Sequence, residues 1–459
     1  MPTLKSSSIC FSPLSLPRVL SGMVRFAHQL FKEIVIIPKA LWSNGRFEKS
    51  WRLAPVFLIA LIASGCDRSD APVVDSNQAD TAIDESNQAD TAIDQSNDLV
   101  SEAQATVFAK ELVTGYVASN RRAIAHLFAF PEIVERAIEP FGLDGTDKDD
   151  LMADAVQAAP KYLAPISSVM KAGGAYQLVH VKQRDDGSFA LFRLLSVDGT
   201  YNYHLLRIRK IRGQIRADQF FNASEGDELS ETIRADIAGQ AEHLMSSKQI
   251  TDAQKRLLED LKIQKQMRDA VGFEFEEEAL KIYNQLPARL QMSRLPMLYR
   301  IRAIPDTDQA TYLAAVKEFL AKFPNDPAIG FIALDAAAVS QDVDLLQRGH
   351  KILREWTGGD PYLDLLVGTS LAALGQAELA KKITESVDPS NIDVPAGHTY
   401  KLSIASANGD HEEVLKQLGL LRDRYKINFQ DLDKIEQFKS FVKSPQYEQW
   451  KNDQGNVRE

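Results

Sequence analysis

Three polar side chains on three of the predicted strands could perform acid–base chemistry. His180, His204 and Asp218 each fall in a segment with strand character. An imidazole that titrates near neutral pH, oriented by a carboxylate, is a common arrangement for general acid–base catalysis. Their spacing does not require them to face one another, because alternate residues of a strand point to opposite faces. The three residues are therefore a candidate pocket, and ordinary surface or cross-strand positions are the simpler interpretation.

Other catalytic motifs are missing from the sequence. It contains no phosphate-binding glycine loop and no dinucleotide fingerprint. Ser370 lies in a segment that approaches a nucleophile elbow, but this segment is predicted to be helix rather than a strand-to-helix turn. His411 is followed by two glutamates and lacks the second histidine that a zinc-binding helix needs one turn later. We expect no enzymatic activity, no cofactor and no metal site.

Charge and cysteine content exclude further classes of function. The 459 residues carry 53 Lys+Arg and 63 Asp+Glu, and residues 1–66 hold eight of the basic and two of the acidic ones. The remaining chain therefore has 45 basic and 61 acidic residues, a net charge of −16, which argues against a nucleic-acid binder. The two cysteines are Cys10 and Cys66, so the chain beyond residue 66 can form neither disulfides nor thiolate metal sites.

The cysteine at position 66 follows a signal-like segment. Basic residues at 46–52 precede an apolar run at 54–63, which is too short to span a bilayer but suits a signal-peptide core. The sequence at 63–66, Ala-Ser-Gly-Cys, resembles the lipobox of bacterial lipoproteins. This resemblance implies that 1–65 is a signal peptide with a long n-region and that Cys66 is acylated as the mature N-terminus. A short buried helix with an incidental cysteine is the alternative.

The residue after this cysteine points to a membrane. Asp67 resembles the signal that retains lipoproteins of enteric-type bacteria in the inner membrane. The resemblance implies a bacterial cell-envelope protein that is lipid-anchored to the inner membrane and faces the periplasm, with the outer membrane as the alternative. Acyl chains contribute ~0.8 kcal/mol per buried CH₂, so two or more anchor a protein without a transmembrane helix.

Residues 66–101 have the composition of a tether. A ten-residue repeat, Ser-Asn-Gln-Ala-Asp-Thr-Ala-Ile-Asp followed by Glu or Gln, begins at Ser76 and again at Ser86. Nine acidic residues face one Arg between 67 and 98, a net charge of −8 (1 − 9), with few apolar side chains. Such a segment cannot offset the entropy of folding, so we expect a disordered acidic tether. A calcium-binding repeat is the alternative, but it would need the glycines that this repeat lacks.

Residues 102–228 are predicted to form an α+β domain. Apolar residues at helical spacing indicate short helices before residue 175, and four segments with strand character follow. The predicted strands of this four-stranded antiparallel meander are Ala175–Arg184, Phe189–Val197, Tyr201–Lys210 and Gln214–Asn222. The element order resembles that of cone-shaped nuclear-transport-factor-like folds, which often hold a pocket. The basic run at 207–216 is predicted to be a solvated sheet face, with an anion site as the alternative.

Residues 229–459 are predicted to form an all-α solenoid of helical hairpins. Turn signals recur every 34 residues, at Gln341, Gly375 and Gly409. A helix–turn–helix unit of this length resembles the tetratricopeptide repeat. Aromatic residues between 438 and 450 are predicted to cap the open end of the array. A non-repetitive helical bundle is the alternative.

These features together predict a membrane-anchored scaffold in the periplasm. The resemblance to tetratricopeptide repeats implies a groove that binds a protein or peptide partner, with the membrane reached through the lipid anchor and no nucleic acid bound. A ligand-binding or catalytic pocket in 102–228, with the helices as a positioning module, is the alternative.

Removal of the thiol tests the anchor. In a Cys66→Ala variant we expect the protein to leave the membrane fraction, because no acyl chain can be attached. Intact-mass analysis of the wild-type membrane fraction should show a chain that begins at an acylated Cys66. A soluble, full-length wild-type chain would contradict the prediction.

Overall fold

The computed structural model describes residues 99–196, 199–246, 250–305, 307–392, 395–427, 429 and 431–455. The predicted signal peptide, Cys66 and the tether as far as residue 98 lie outside these residues. Within them a region of helices and antiparallel sheet comes first and a helical region follows, as the sequence predicts. No helix in the described part of the chain is both long and apolar enough to cross a membrane.

Five helices precede the sheet and pack on one of its faces. The first begins at a capping box in which Gln104 N donates to Ser101 Oγ at 3.2 Å. Leu112, Ile133 and Phe192 are among the residues of this core, and all three are fully buried. The helices are α1 Glu102–Val117, α2 Arg121–His126, α3 Phe130–Ile138, α4 Gly145–Ala158 and α5 Ala164–Lys171.

The sheet has five antiparallel strands in sequential order, so the prediction of four was wrong by one strand. The additional strand pairs Phe221 with Glu228 and Asn222 with Asp227, after a turn in which Gly226 has φ +68°. It consists of two acidic residues, which are depleted in strands, so the sequence carried no strand signal there. The strands are β1 Ala175–Arg184, β2 Gly187–Leu195, β3 Tyr201–Ile211, β4 Gln214–Asn222 and β5 Asp227–Glu228.

Thirteen helices follow the sheet in the described residues, and most pair as antiparallel hairpins. The first six are α6 Leu229–Met245, α7 Asp252–Gly272, α8 Glu276–Gln285, α9 Ala288–Gln291, α10 Arg294–Ala303 and α11 Gln309–Lys322. The next six are α12 Pro327–Ser340, α13 Val343–Thr357, α14 Pro361–Ala373, α15 Ala377–Thr384, α16 Pro395–Ala407 and α17 His411–Tyr425. The last is α18 Pro445–Gly455, and it packs with Phe438 and Phe441 against α17.

Helix boundaries recur every 34 residues among these hairpins. The first helices begin at Pro327, Pro361 and Pro395, where proline suits the first turn because its missing N–H is not needed. The second helices begin at residues 343, 377 and 411. The chain turns between them at Gln341, Gly375 and Gly409, all with positive φ, as the sequence predicts.

The first helices of the hairpins cover the second face of the sheet. Tyr201 of β3 packs on Phe331 of α12 and Tyr362 of α14, with ring centroids 5.3 and 5.8 Å apart. Tyr362 Oη also donates to the backbone oxygen of Gly199 at 3.1 Å. Tyr400 of α16 belongs to the same buried cluster. The sheet is therefore enclosed between two helical layers, with a core on each side.

A buried ion pair crosses this second core. The Arg193 guanidinium on β2 bonds to the carboxylate of Asp360, which precedes α14, and the side chains are only 6% and 1% exposed. Tyr203 Oη donates to the other carboxylate oxygen at 2.6 Å. Tyr362 N donates to the carboxylate at 3.1 Å, so Asp360 also caps α14. Gln177 accepts a second bond from Arg193, at 2.6 Å.

Removal of the cation should destabilise the fold severely. An Arg193→Met variant leaves the Asp360 carboxylate buried without its charge partner, and we expect a loss of about 3–5 kcal/mol in the free energy of unfolding. Asn at 360 retains the helix cap without the charge, so the double variant Arg193→Met/Asp360→Asn should recover most of the loss. Urea unfolding provides the measurement. The same change at exposed Arg122 should alter stability by less than about 0.5 kcal/mol, and an equal loss there would contradict the role of the pair.

Candidate functional site

His180 contacts the helical layer rather than an open pocket. Its Nε2 lies 2.6 Å from the backbone oxygen of Thr357, at the end of α13. A carbonyl oxygen only accepts, so Nε2 carries the proton. Burial lowers the pKa of His180. A Cβ atom on Gly358 would come within 3.1 Å of the imidazole, so this glycine lets the turn approach the strand closely.

His204 is packed inside the opposite core. Its ring lies 4.7 Å from that of Phe220 and 5.6 Å from that of Tyr176, and the residue is 3% exposed. The two ring nitrogens lie 3.3 Å from Tyr176 Oη and 3.3 Å from Asn202 Nδ2. Burial lowers the pKa of His204 to about 3. The imidazole is therefore neutral at physiological pH and part of a buried polar network.

Asp218 is held by arginines. Arg207 donates to both carboxylate oxygens, at 2.9 and 2.8 Å, in the bidentate geometry that suits guanidinium and carboxylate. Nitrogens of Arg136 and Arg209 lie 3.7 and 3.9 Å from the same carboxylate. The Asp218 side chain is only 3% exposed. Both of its oxygens accept hydrogen bonds from Arg207, so the carboxylate is engaged in a structural ion pair.

The structure does not bring the three candidate residues together. His180 bonds to α13 on one side of the sheet, whereas His204 packs among Tyr176 and Phe220 on the other. Asp218 lies among arginines beside α3. The acid–base site that the strands could have formed is therefore not assembled from these side chains. No cluster of three or more potential ligands for a metal ion is found among the described residues.

A groove of about 740 Å³, which we call the mixed-charge groove, lies between α3, α4 and the end of the β3–β4 hairpin. Asp218 forms part of its wall. Its cationic side chains are Arg136, Lys148, Arg209, Lys210 and Arg212. Its carboxylates are Glu132, Glu135, Glu139 and Asp218. The groove therefore offers both signs of charge within one concave surface.

Ion pairs inside the groove are loose at its rim and tight at its wall. Lys148 and Glu135 approach to 3.3 Å, and Arg212 and Glu132 only to 3.9 Å, with Arg212 85% exposed. Exposed pairs of this kind contribute about 0–1 kcal/mol each, so a charged ligand can exchange with them at little cost. Burial lowers the pKa of Arg136, and the nearby Asp218 carboxylate opposes this effect. The wall at Asp218 is thus fixed by its bonds to arginine, whereas the exposed ion pairs at the rim can open to admit a ligand.

Two buried atoms in the groove have no hydrogen-bond partner in the described part of the chain. They are Glu132 Oε2 and Arg136 Nε, an acceptor and a donor. A buried polar atom without a partner costs about 1–3 kcal/mol, which a bound ligand or water would recover. The groove could therefore bind a charged or polar ligand, and no covalent chemistry follows from its residues.

The sequence prediction included Asp218 but missed most of the groove. Glu132 and Glu135 on α3, with Glu139 directly after its end, recur every three or four residues and form a polar stripe. That stripe was the available signal, but it does not show which element faces it. Lys210 and Arg212 were predicted to belong to a solvated sheet face, and they line this groove.

A comparison with known protein families, with curated proteins and with solved structures found no match.

The buried imidazole should make stability depend on pH. Between about pH 6.5 and pH 3 the unfolded chain protonates residue 204 and the folded chain does not, so this group lowers the free energy of unfolding as the pH falls, by about 1.4 kcal/mol per pH unit. His204→Phe removes the group, so we expect a slope that is smaller by about this amount. Tyr176→Phe keeps the imidazole and should retain the slope. Urea unfolding between pH 4 and 7 provides the measurement, and equal slopes in wild type and His204→Phe would overturn this assignment.

Proposed function

We propose that this chain is a lipid-anchored protein of the bacterial cell envelope that binds a charged segment of a protein or peptide partner in the mixed-charge groove. The observation that carries the proposal is the groove itself, a concave surface with five cationic and four anionic side chains. The helical hairpins would serve as the frame that holds the groove's strands in place.

The spacing of the hairpins supports the proposal of a frame built from tetratricopeptide-like units. Starts at Pro327, Pro361 and Pro395 match the 34-residue unit that the sequence predicts. In tetratricopeptide-like arrays the inner face is the expected partner-binding surface. In this chain Tyr201 and Tyr203 of β3 pack against that face on α12 and α14. Because the protein's own sheet occupies this position, the exposed groove is the more accessible surface for a partner.

The groove charges indicate the chemistry of the partner. A segment with both acidic and basic residues would pair with Lys148 and Lys210 as well as with Glu135 and Glu139. Such contacts at exposed side chains are screened by salt, so the affinity should fall as ionic strength rises. An ordered partner backbone could also satisfy the unpartnered atoms of Glu132 and Arg136.

The anchor would favour partners close to the membrane. Thirty-two residues, 67–98, separate Cys66 from Leu99, where the described structure begins. A flexible chain of this length has an r.m.s. span of roughly 30–35 Å, and its like charges would extend it. Confinement of the protein within this distance of the membrane raises its effective concentration for membrane-proximal partners and creates no new contact.

Photo-cross-linking in whole cells tests the groove. A photoreactive residue at exposed Glu139, on the groove rim, should join the protein to one reproducible envelope partner. The charge reversal Lys148→Glu/Lys210→Glu should reduce the yield several-fold, because both cations line the groove. Lys434→Glu/Lys439→Glu makes the same change in charge on exposed side chains that do not line the groove, and it should leave the yield unchanged.

A second candidate function is partner capture by the hairpins, which the 34-residue recurrence favours. A photoreactive residue at exposed Glu378 of α15 reports on this possibility. Cross-links from position 378 with none from position 139 would overturn the proposal that the partner binds in the groove, and they would establish the hairpins as the binding surface.

A further inference from the structure

A set of basic side chains lies at one end of the sheet, where β1 and β3 end and β4 begins. We call this set the basic end. Its members are Arg184, Arg209, Lys210, Arg212 and Arg216. They stand out in a chain whose residues after 66 carry a net charge of −16. A concentration of like charge in an otherwise acidic protein calls for a compensating anion.

Carboxylates of the described residues compensate the basic end only in part: Asp185 and Asp186 lie in the turn between β1 and β2, and Asp186 pairs with Arg207 at 3.3 Å. Arg209 approaches Asp218 only to 3.9 Å, and both oxygens of that carboxylate already accept from Arg207. Arg212 approaches Glu132 only to 3.9 Å. Arg216 donates to the neutral Gln214 at 2.5 Å.

Two of these arginines are placed directly opposite one another. Arg209 of β3 and Arg216 of β4 are cross-strand partners in the sheet register, so their side chains share one face. Like charges in this position destabilise a strand pair. An anion bound between or beside them would remove that penalty.

The most acidic part of the chain reaches the described structure beside the basic end. Ser188 Oγ donates to the backbone oxygen of Val100 at 2.5 Å, and Ser188 is the cross-strand partner of Ile208. The described chain therefore begins close to Ile208, the neighbour of Arg209 in β3, at the same end of the sheet as the basic end. Residues 67–98 lie directly upstream and carry a net charge of −8. Four residues can span about 13 Å, so the carboxylates of this segment can reach either face of the sheet end.

We propose that the acidic segment 67–98 docks on the basic end of the same chain. Its carboxylates pair with Arg184, Arg209, Lys210, Arg212 and Arg216 as charge-assisted hydrogen bonds, which Arg forms well with carboxylates. The covalent link keeps the local concentration of carboxylates high, near the mM range for short flexible linkers, so weak individual pairs suffice. Arg209, Lys210 and Arg212 also line the mixed-charge groove, so a docked segment and the partner proposed above would compete for these three cations.

Salt dependence distinguishes a docked segment from a free one. A free polyanion contracts when salt screens its self-repulsion, whereas a docked polyanion is released and moves away. The two states therefore respond to salt with opposite signs. Cys10 and Cys66 are the only cysteines in the sequence, so a Cys66→Ser chain that begins at residue 66 accepts two specific labels.

The experiment is fluorescence energy transfer in this chain, with labels at Ser76→Cys and Gln183→Cys. Ser76 is 23 residues before Leu99, so a free segment would have an r.m.s. span of about 25 Å, which requires a short-range dye pair. We expect the transfer efficiency to fall between about 0.02 M and about 0.5 M NaCl, as the Debye length shortens from about 20 Å to about 4 Å.

Two variants should reverse the sign of this response. Arg209→Glu/Lys210→Glu/Arg212→Glu removes three cations of the basic end. Asp80→Asn/Asp84→Asn/Asp90→Asn/Asp94→Asn removes four of the nine acidic charges of the segment and changes none of the described residues. This variant therefore tests the proposal even if the first variant fails to fold. The matched control is Lys434→Glu/Lys439→Glu/Lys451→Glu, the same change in charge on exposed side chains of the C-terminal region. It should keep the wild-type response.

A rise in transfer efficiency with salt in the wild-type chain would overturn the proposal and leave the basic end open to another anion, such as a lipid headgroup. A fall that persists in both reversal variants would also overturn it, because the contact would then not depend on these charges. Neither result depends on whether the mixed-charge groove captures a partner.

Discussion

The carboxylate of Asp360 joins the two parts of this protein. It accepts from Arg193 and Tyr203 of the sheet and from the backbone of α14, so one side chain links a strand pair to a helix start. Removing two charges from water is costly, and only good geometry with further hydrogen bonds compensates for it. Here those bonds are present. The pair specifies one position of the sheet on the helices, because any displacement would leave both charges buried and unpaired.

This position determines which surfaces remain open. The aromatic residues of β3 lie on α12 and α14, so the sides of these helices that face the sheet are part of the core. The other face of the sheet is covered by α1 and the helices that follow it. The ends of the strands lie beyond these two layers, and the charged residues of the mixed-charge groove and the basic end lie at one of them. Both proposals therefore concern the same end of the sheet.

The sequence predicted the local elements well, but it did not predict which polar strand residues are buried between the two helical layers. The first and fourth strands have the predicted bounds, because alternating residues and short turns are local signals. The fifth strand was missed because pairing with β4, not its own residues, makes it a strand. Arg193, Asn202 and His204 are polar residues that a strand pattern assigns to solvent, yet each is at most 5% exposed. Each of them has a hydrogen-bond partner that is distant in sequence, Asp360 for Arg193, Asn222 for Asn202 and Tyr176 for His204, and no local pattern contains these contacts.

The amino-acid order alone determined the charge distribution, the 34-residue recurrence of turns and the strand–turn alternation, because each depends on neighbouring residues or on simple counting. Only the tertiary structure decided that His180, His204 and Asp218 lie apart and that Asp218 borders a groove with residues of α3, about 80 positions earlier. The physical reason is that burial and pairing are properties of long-range contacts. A strand residue can face solvent or a core, and the energy of the whole packed arrangement selects between them.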